Sequence, residues 1–258
     1  MSGPLAGRRI LVTRPRARSA ALARLIGEAG GEAILFPAIE ITDPVDAGPA
    51  RALLGRLEDF DVAVFISANA VERGFALLGR PWPAQVRAAA IGSGTRRRLE
   101  ECGVREVIAP EGGSDSEALL ALPVLASMSG RRVAIIRGEG GREVLREALQ
   151  ARGATVEYAE CYRRIRPQAD PAPLLSDWSQ GAVHSVSVGS SEALVNLLTM
   201  LGEPGARLVA DTPLFVAHRR VAEEARRHGI ARVVVAGPSD GEMLAALVAY
   251  FAQGNGSP

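Results

Sequence analysis

The chain has 258 residues, 47% of them hydrophobic and only 4% aromatic, with a formal net charge of +1. That length admits one large domain or two medium ones. No apolar run reaches the ~18 residues of a membrane span, and the balanced charge argues neither for a nucleic-acid partner nor against one. All 30 basic residues are arginine. Schiff-base chemistry on lysine and a Walker-type phosphate loop are therefore excluded. Arginine's planar fork remains well matched to carboxylates.

In chain order, Met1 to Gly7 carries no apolar stretch of signal-peptide type, so the chain is expected in the cytoplasm. Ile10 to Thr13 reads as a buried strand, broken by Arg14-Pro15. Ala17 to Ala29 has a helical apolar stripe at Ala21, Leu22, Leu25, Ile26 and Ala29, stopped by Gly30-Gly31. Ala33 to Phe36 is the next strand, which makes a β-α-β unit and implies a parallel sheet. Thr42 to Ala50, Gly79 to Ala84 and Pro167 to Gly181 read as Pro-rich loops. Strands over 61–66 and 87–91 lead into helices opening at Ser67-Ala68-Asn69 and Ser93-Gly94-Thr95. Further on come a strand at 133–136, a helix at 141–151 and a strand at 155–161. A strand over 183–188 precedes Ser190-Ser191 and a helix to about Leu201. The alternation ends with strand 214–217, a helix to Gly229, strand 232–236, helix 240–252 and a tail from Gly254 expected to be disordered. Ser114-Asp-Ser-Glu117 and Ser239-Asp-Gly-Glu242 both read as capping boxes.

One pattern occurs twice. Arg9-Ile-Leu-Val-Thr-Arg14 returns as Arg132-Val-Ala-Ile-Ile-Arg137, Gly30 returns as Gly153, and Ser67 as Ser190, at 190 − 67 = 123 residues. A repeat this long means two like domains, and a cleft between them is the expected ligand site.

Common catalytic signatures are missing. Gly138-Glu-Gly140-Gly141 begins like a dinucleotide fingerprint, but Glu143 stands at the third glycine. His184, His218 and His228 are too dispersed for a metal site, Cys102 and Cys161 stand alone, and no GxSxG surrounds Ser190. A nicotinamide cofactor, a zinc site and a serine-hydrolase mechanism are therefore disfavoured. What recurs is a set of strand-to-helix turns with small polar residues: Ser67-Ala68-Asn69, Ser93-Gly94-Thr95 and Ser190-Ser191. His218-Arg219 marks a fourth such turn, and Arg14-Pro15 and Arg137-Gly138 add arginine at two more. Such turns lie at the carboxyl ends of parallel strands, where α/β sheets bind ligands. Their helix starts offer free amides to carboxylate or phosphate.

The same residues resemble the uroporphyrinogen-III synthase family over about residues 8 to 252. The resemblance is carried by Ile10-Leu-Val-Thr-Arg14-Pro15, Phe65-Ile-Ser-Ala-Asn-Ala-Val71, Ala90-Ile-Gly-Ser-Gly-Thr95, Arg137-Gly-Glu-Gly-Gly-Arg142, Cys161-Tyr162-Arg163 and Leu214-Phe-Val-Ala-His218-Arg219. Two departures stand out: Arg96-Arg97-Arg98 follow the Thr95 turn, and Ile66 occupies a place where threonine is frequent. The resemblance implies two flavodoxin-like parallel-sheet α/β domains joined by a two-stranded linker. The first is discontinuous, residues 1–39 plus 165–258, and the second is 40–164. It implies a cofactor-free lyase that takes linear hydroxymethylbilane, a tetrapyrrole polycarboxylate, inverts its last pyrrole ring and closes the macrocycle with loss of water. Tyr162 falls on the family's important tyrosine and is the candidate acid, expected to face the cleft. The strand-end residues above would bind the substrate's carboxylates. The chain is expected to be a monomer, with no membrane or nucleic-acid partner. The rival reading is a non-catalytic two-domain binder or sensor of a small polyanion, which would leave Tyr162 without a task.

Overall fold

The computed structural model describes residues 3–113 and 115–254. The chain begins with β1 (Arg9–Val12), α1 (Arg16–Glu28), β2 (Glu32–Leu35) and β3 (Glu40–Thr42). It continues through α2 (Gly48–Gly55), β4 (Val62–Phe65), α3 (Ala68–Leu78), β5 (Arg87–Ala90), α4 (Ser93–Glu101) and β6 (Val107–Ile108). Next come α5 (Ser116–Leu120), β7 (Arg132–Gly138), α6 (Val144–Ala151) and β8 (Thr155–Ile165). The last part holds α7 (Ala172–Ser179), β9 (Ser185–Val188), α8 (Ser191–Asp211), β10 (Leu214–Val216), α9 (Arg219–Arg227), β11 (Val233–Val235) and α10 (Asp240–Ala252).

The chain divides into two units. Residues up to Glu40 and from Ile165 onward form the first, and Ile41–Arg164 the second. The first has a sheet in the order β2-β1-β9-β10-β11, with every neighbouring pair parallel. Counted along that unit's own chain, this is 2-1-3-4-5, the flavodoxin-like order. In the second unit the sheet runs β3-β8-β7-β4-β5-β6. The pairs β8-β7, β7-β4, β4-β5 and β5-β6 are all parallel.

The repeat explains why the two orders match. Adding 123 to β4 (62 + 123 = 185, 65 + 123 = 188) lands on β9. Adding it to Arg9 gives 132, the first residue of β7. In space, β8-β7-β4-β5-β6 therefore corresponds to β2-β1-β9-β10-β11, although the chain visits the strands in a permuted sequence. The turn glycines agree as well: Gly30 and Gly153 are both left-handed, at φ 87° and 91°.

Both faces of each central strand are covered, which is why β4 (Val-Ala-Val-Phe) reads as a continuous apolar run rather than an alternating one. Ala63 and Phe65 join the core shared with α2 and α3 through Leu53, Leu54 and Val71. Val62 and Val64 join the opposite core with Leu145 and Leu149 of α6. In the first unit, Ile10, Val12 and Phe215 pack with Leu22 and Ile26 of α1 and with Met243 and Leu247 of α10.

Four sequence expectations need correction. The stretches 42–50 and 167–181 are not wholly loop, because α2 starts and α7 lies within them. Each carries proline in its first turn, where the missing N–H has no intrahelical partner in any case. The helix after Ser191 does not stop at Leu201; it breaks at Gly202 (φ 65°, ψ −170°) and resumes to Asp211. At 114–117, Ser114 lies outside the described residues, and α5 is capped by Asp115, whose Oδ1 accepts from Ala118 N at 2.8 Å. The tail beyond Gly254 also lies outside them. The second capping box, Ser239 with Glu242, is present in full.

Candidate active site

In open α/β sheets the ligand crevice opens at the carboxyl ends of the two strands where the chain direction across the sheet reverses. In the first unit these are β1 and β9, and in the second β4 and β7. The sequence-predicted residues fall at or next to these ends. Ser67 caps α3, its Oγ accepting from Ala70 N at 3.0 Å. Ser190 caps α8 in the same way, accepting from Ala193 N at 3.1 Å. Both pairs obey the 123-residue offset. Ala68 and Ser191 are the first residues of their helices, with Asn69 second in α3. The third small-residue turn differs: Gly92 is its cap, so Ser93, Gly94 and Thr95 form the first turn of α4, with Ser93 and Gly94 exposed and Thr95 buried. His218 caps α9 without a side-chain bond, and Arg219 follows on the surface.

The two arginines are already engaged. Arg14 Nη1 is ion-paired with Asp240 at the start of α10, a partner 226 residues away. Arg137 is 3% exposed and meets Glu143 at 3.1 Å and Glu160 at 3.8 Å. Its guanidinium also lies 4.4 Å from the centre of the Tyr158 ring. The Tyr158 hydroxyl donates to Glu143 at 2.7 Å, and this bond, with the Arg137 contact, holds the Glu143 carboxyl below its ordinary range. Burial and the same bond push the Tyr158 phenol up. Arg96, Arg97 and Arg98 pair with Glu100, Glu101 and Glu72.

Tyr162 occupies an unexpected place. It is 2% exposed, with its ring in the core beside α3 rather than at an open surface. Its hydroxyl lies 2.9 Å from Ser67 Oγ. Two local features put it there. The β7–β8 register pairs Arg137 with Glu160 but Gly138 with Tyr162, so Cys161 is an extra residue, a β-bulge. As a result the consecutive residues Cys161 and Tyr162 both belong to the α3-side core, which simple alternation forbids. Gly138 then makes room: a Cβ there would stand 2.7 Å from Tyr162 Cε2 and 2.8 Å from Cζ. Burial pushes the neighbouring Cys161 thiol up to about 12, so it stays an inert apolar filler. The bulge and the Ser67–Tyr162 bond were missed from sequence; the adjacent Cys-Tyr pair at the end of an alternating strand was the available signal.

Among the described residues, no group of three or more His, Cys, Asp or Glu could hold a metal ion, and no helix is long and apolar enough to cross a membrane.

Two permuted copies of one parallel-sheet unit, each with a serine-capped helix start after one of its two reversal strands, define a duplicated α/β protein. Comparison with known proteins makes the assignment specific. The family model described as "Uroporphyrinogen-III synthase HemD" matches residues 20–245, and the chain belongs to that family. The uroporphyrinogen-III synthase of Salmonella typhimurium is 34% identical over 239 residues, covering 91% of this chain and 97% of that protein. Its Escherichia coli counterpart is 32% identical with the same coverage. Solved uroporphyrinogen III synthases from Thermus thermophilus (a mutant; TM-score 0.63, 20% identity, covering 95% of this chain and 99% of that one) and Helicobacter pylori (TM-score 0.60, 14% identity, covering 94% and 99%) share the fold.

Proposed function

We propose that this chain is a uroporphyrinogen-III synthase, a cyclising hydro-lyase. It takes linear hydroxymethylbilane, expels its hydroxyl as water, inverts the last pyrrole ring and closes the macrocycle to uroporphyrinogen III. The observation that carries this reading is the family match from residue 20 to 245.

The chemistry asks for three things. The first is a grip on many carboxylates. Helix starts at Ala68-Asn69, Ser93-Gly94-Thr95, Ser191 and Arg219 supply amide donors, each charge-assisted bond contributing about 1.5–3 kcal/mol. Arg14 and Arg137, already neutralised by Asp240 and Glu143, support these strand-end turns. The second is control of shape: the last ring must be attacked at its substituted carbon, through a spiro intermediate, rather than at its free carbon. Holding that conformer is a proximity effect. The third is help for the departing hydroxyl, which falls to the Tyr162–Ser67 pair. The pyrrole nitrogens push electrons into the breaking bond, so a modest hydrogen-bond donor suffices and no cofactor is required.

The test is a product analysis with bilane generated in situ. Mostly type III isomer supports the proposal. Mostly type I, formed at the uncatalysed rate, supports a polyanion binder or sensor instead.

A further inference from the structure

We infer that Ser67, rather than Tyr162, is the hydroxyl that meets the departing oxygen of the substrate, and that Tyr162 acts through it as a positioning residue. The inference deepens the reading above and rests on it.

The Tyr162 side chain is buried, whereas Ser67 is half-exposed at the carboxyl end of β4. A serine hydroxyl accepts twice and donates once. Ser67 Oγ accepts from Ala70 N at 3.0 Å and lies 2.9 Å from the phenol oxygen. If Ser67 donated to Tyr162, the phenol proton would be buried without an acceptor among the described residues, at a full desolvation penalty. The phenol therefore donates to Ser67. Both acceptor sites of Ser67 are then filled, and its one remaining capacity is to donate outward. Accepting from the phenol also strengthens it as a donor, as in any hydrogen-bonded chain.

The internal repeat supplies a control. The Ser190 turn has the same cap and the same helix start, but the residue matching Tyr162 is Ile39 (162 − 123 = 39), and the one matching Gly138 is Pro15 (138 − 123 = 15). The capping turn thus forms without a phenol. The bulge at Cys161, the small residue at 138 and the tyrosine occur together in one copy only, and together they deliver a hydroxyl to Ser67.

In the step itself the C–O bond breaks with both electrons going to oxygen. That oxygen takes the Ser67 proton and Ser67 takes the Tyr162 proton; the ring-closing C–C bond forms, and the proton shed as the cyclised rings return to neutral pyrroles passes back through Ser67 to restore Tyr162. One water is lost and nothing is oxidised or reduced.

The experiment is a double-mutant cycle on the full chain, with type III formation as the rate and the Cζ resonance of 13C-labelled Tyr162 as a readout independent of turnover. Ser67→Ala and Tyr162→Phe should each lower kcat about 10²-fold with KM changed less than about threefold. The double variant should be no slower than the slower single one. Ser67→Thr, which returns a hydroxyl, should recover at least about a tenth of wild-type kcat, answering the objection that Ser67→Ala merely loses a cap. The Tyr162 resonance should shift in Ser67→Ala. Multiplicative losses in the double variant, or a loss confined to KM, would overturn the inference. An unmoved resonance would overturn the hydrogen bond itself. Wild-type protein that makes no type III isomer would instead sink the proposed function, while the resonance still judges the Ser67–Tyr162 contact.

Discussion

Gly138→Ala is the sharpest single perturbation of this site, because its effect is almost purely steric. Gly138 is not left-handed, so the backbone accepts alanine. The added Cβ would lie 2.7 Å from the Tyr162 ring, against an ordinary contact of at least 3.4 Å. The ring must therefore retreat by roughly 0.7 Å. Added to the 2.9 Å between the hydroxyls, a retreat along that line gives roughly 3.6 Å, beyond hydrogen-bonding range. Overpacking a core this way costs about 1–3 kcal/mol. The reduced freedom of the unfolded chain returns about 0.4–1 kcal/mol. The net expectation is a loss of up to about 2.5 kcal/mol, together with a fall in kcat matching that of Tyr162→Phe. Urea unfolding followed by tryptophan fluorescence reads the first quantity, since Trp82 packs 5.7 Å from Phe65 in the same core. Type III formation reads the second. A Gly138→Ala protein as stable as wild type with undiminished kcat would show that the Tyr162 ring has room to keep its bond to Ser67.

Other substitutions separate structural from binding roles. Gly94 sits in α4 with nothing within 4 Å of a would-be Cβ; Gly94→Ala should stabilise the protein by about 0.5–1 kcal/mol, and a simultaneous rise in KM would show that substrate approaches this backbone closely. Arg137→Met removes a buried cation whose carboxylate partners Glu143 and Glu160 are 46% and 41% exposed and can rehydrate. The destabilisation should therefore be about 1–3 kcal/mol, below that of a fully buried pair; unchanged urea midpoints with a raised KM would show instead that Arg137 grips substrate directly. His184 makes a pH prediction. Burial, then the nearby Arg8 charge, lowers its pKa from the ordinary 6.5, and its Nδ1 accepts from Arg9 N at 3.0 Å. The unfolded chain thus binds the proton more readily. The stabilisation is complete above pH 6.5 and is lost as pH falls through the depressed folded value. His184→Gln should flatten the stability slope on the acid side of pH 6.5, and an unchanged slope would assign it to other groups.

Much of this architecture was legible because it rests on local rules. The repeat from Arg9 and Arg132 appears in the sheets as β1 and β7, and Ser67 and Ser190 are caps because a small hydroxyl before an apolar helix satisfies an orphan amide. What escaped depends on non-local geometry or on an ambiguous residue. Pro49 and Pro173 suggest loops by composition, yet in a first helical turn proline is favoured, so composition alone conceals α2 and α7. The Arg14–Asp240 pair joins the two ends of the chain and leaves no periodic trace. The bulge at Cys161 is a matter of strand register, which a single strand's sequence does not specify. That one-residue shift places Tyr162 in the core beside Ser67 instead of at an open surface.

The central claim is that this chain turns a linear tetrapyrrole into the inverted macrocycle. Its most direct test generates hydroxymethylbilane in situ, adds the protein, oxidises the products and separates the isomers. A synthase gives mostly type III, formed faster than the uncatalysed closure. Mostly type I at the uncatalysed rate would contradict the claim.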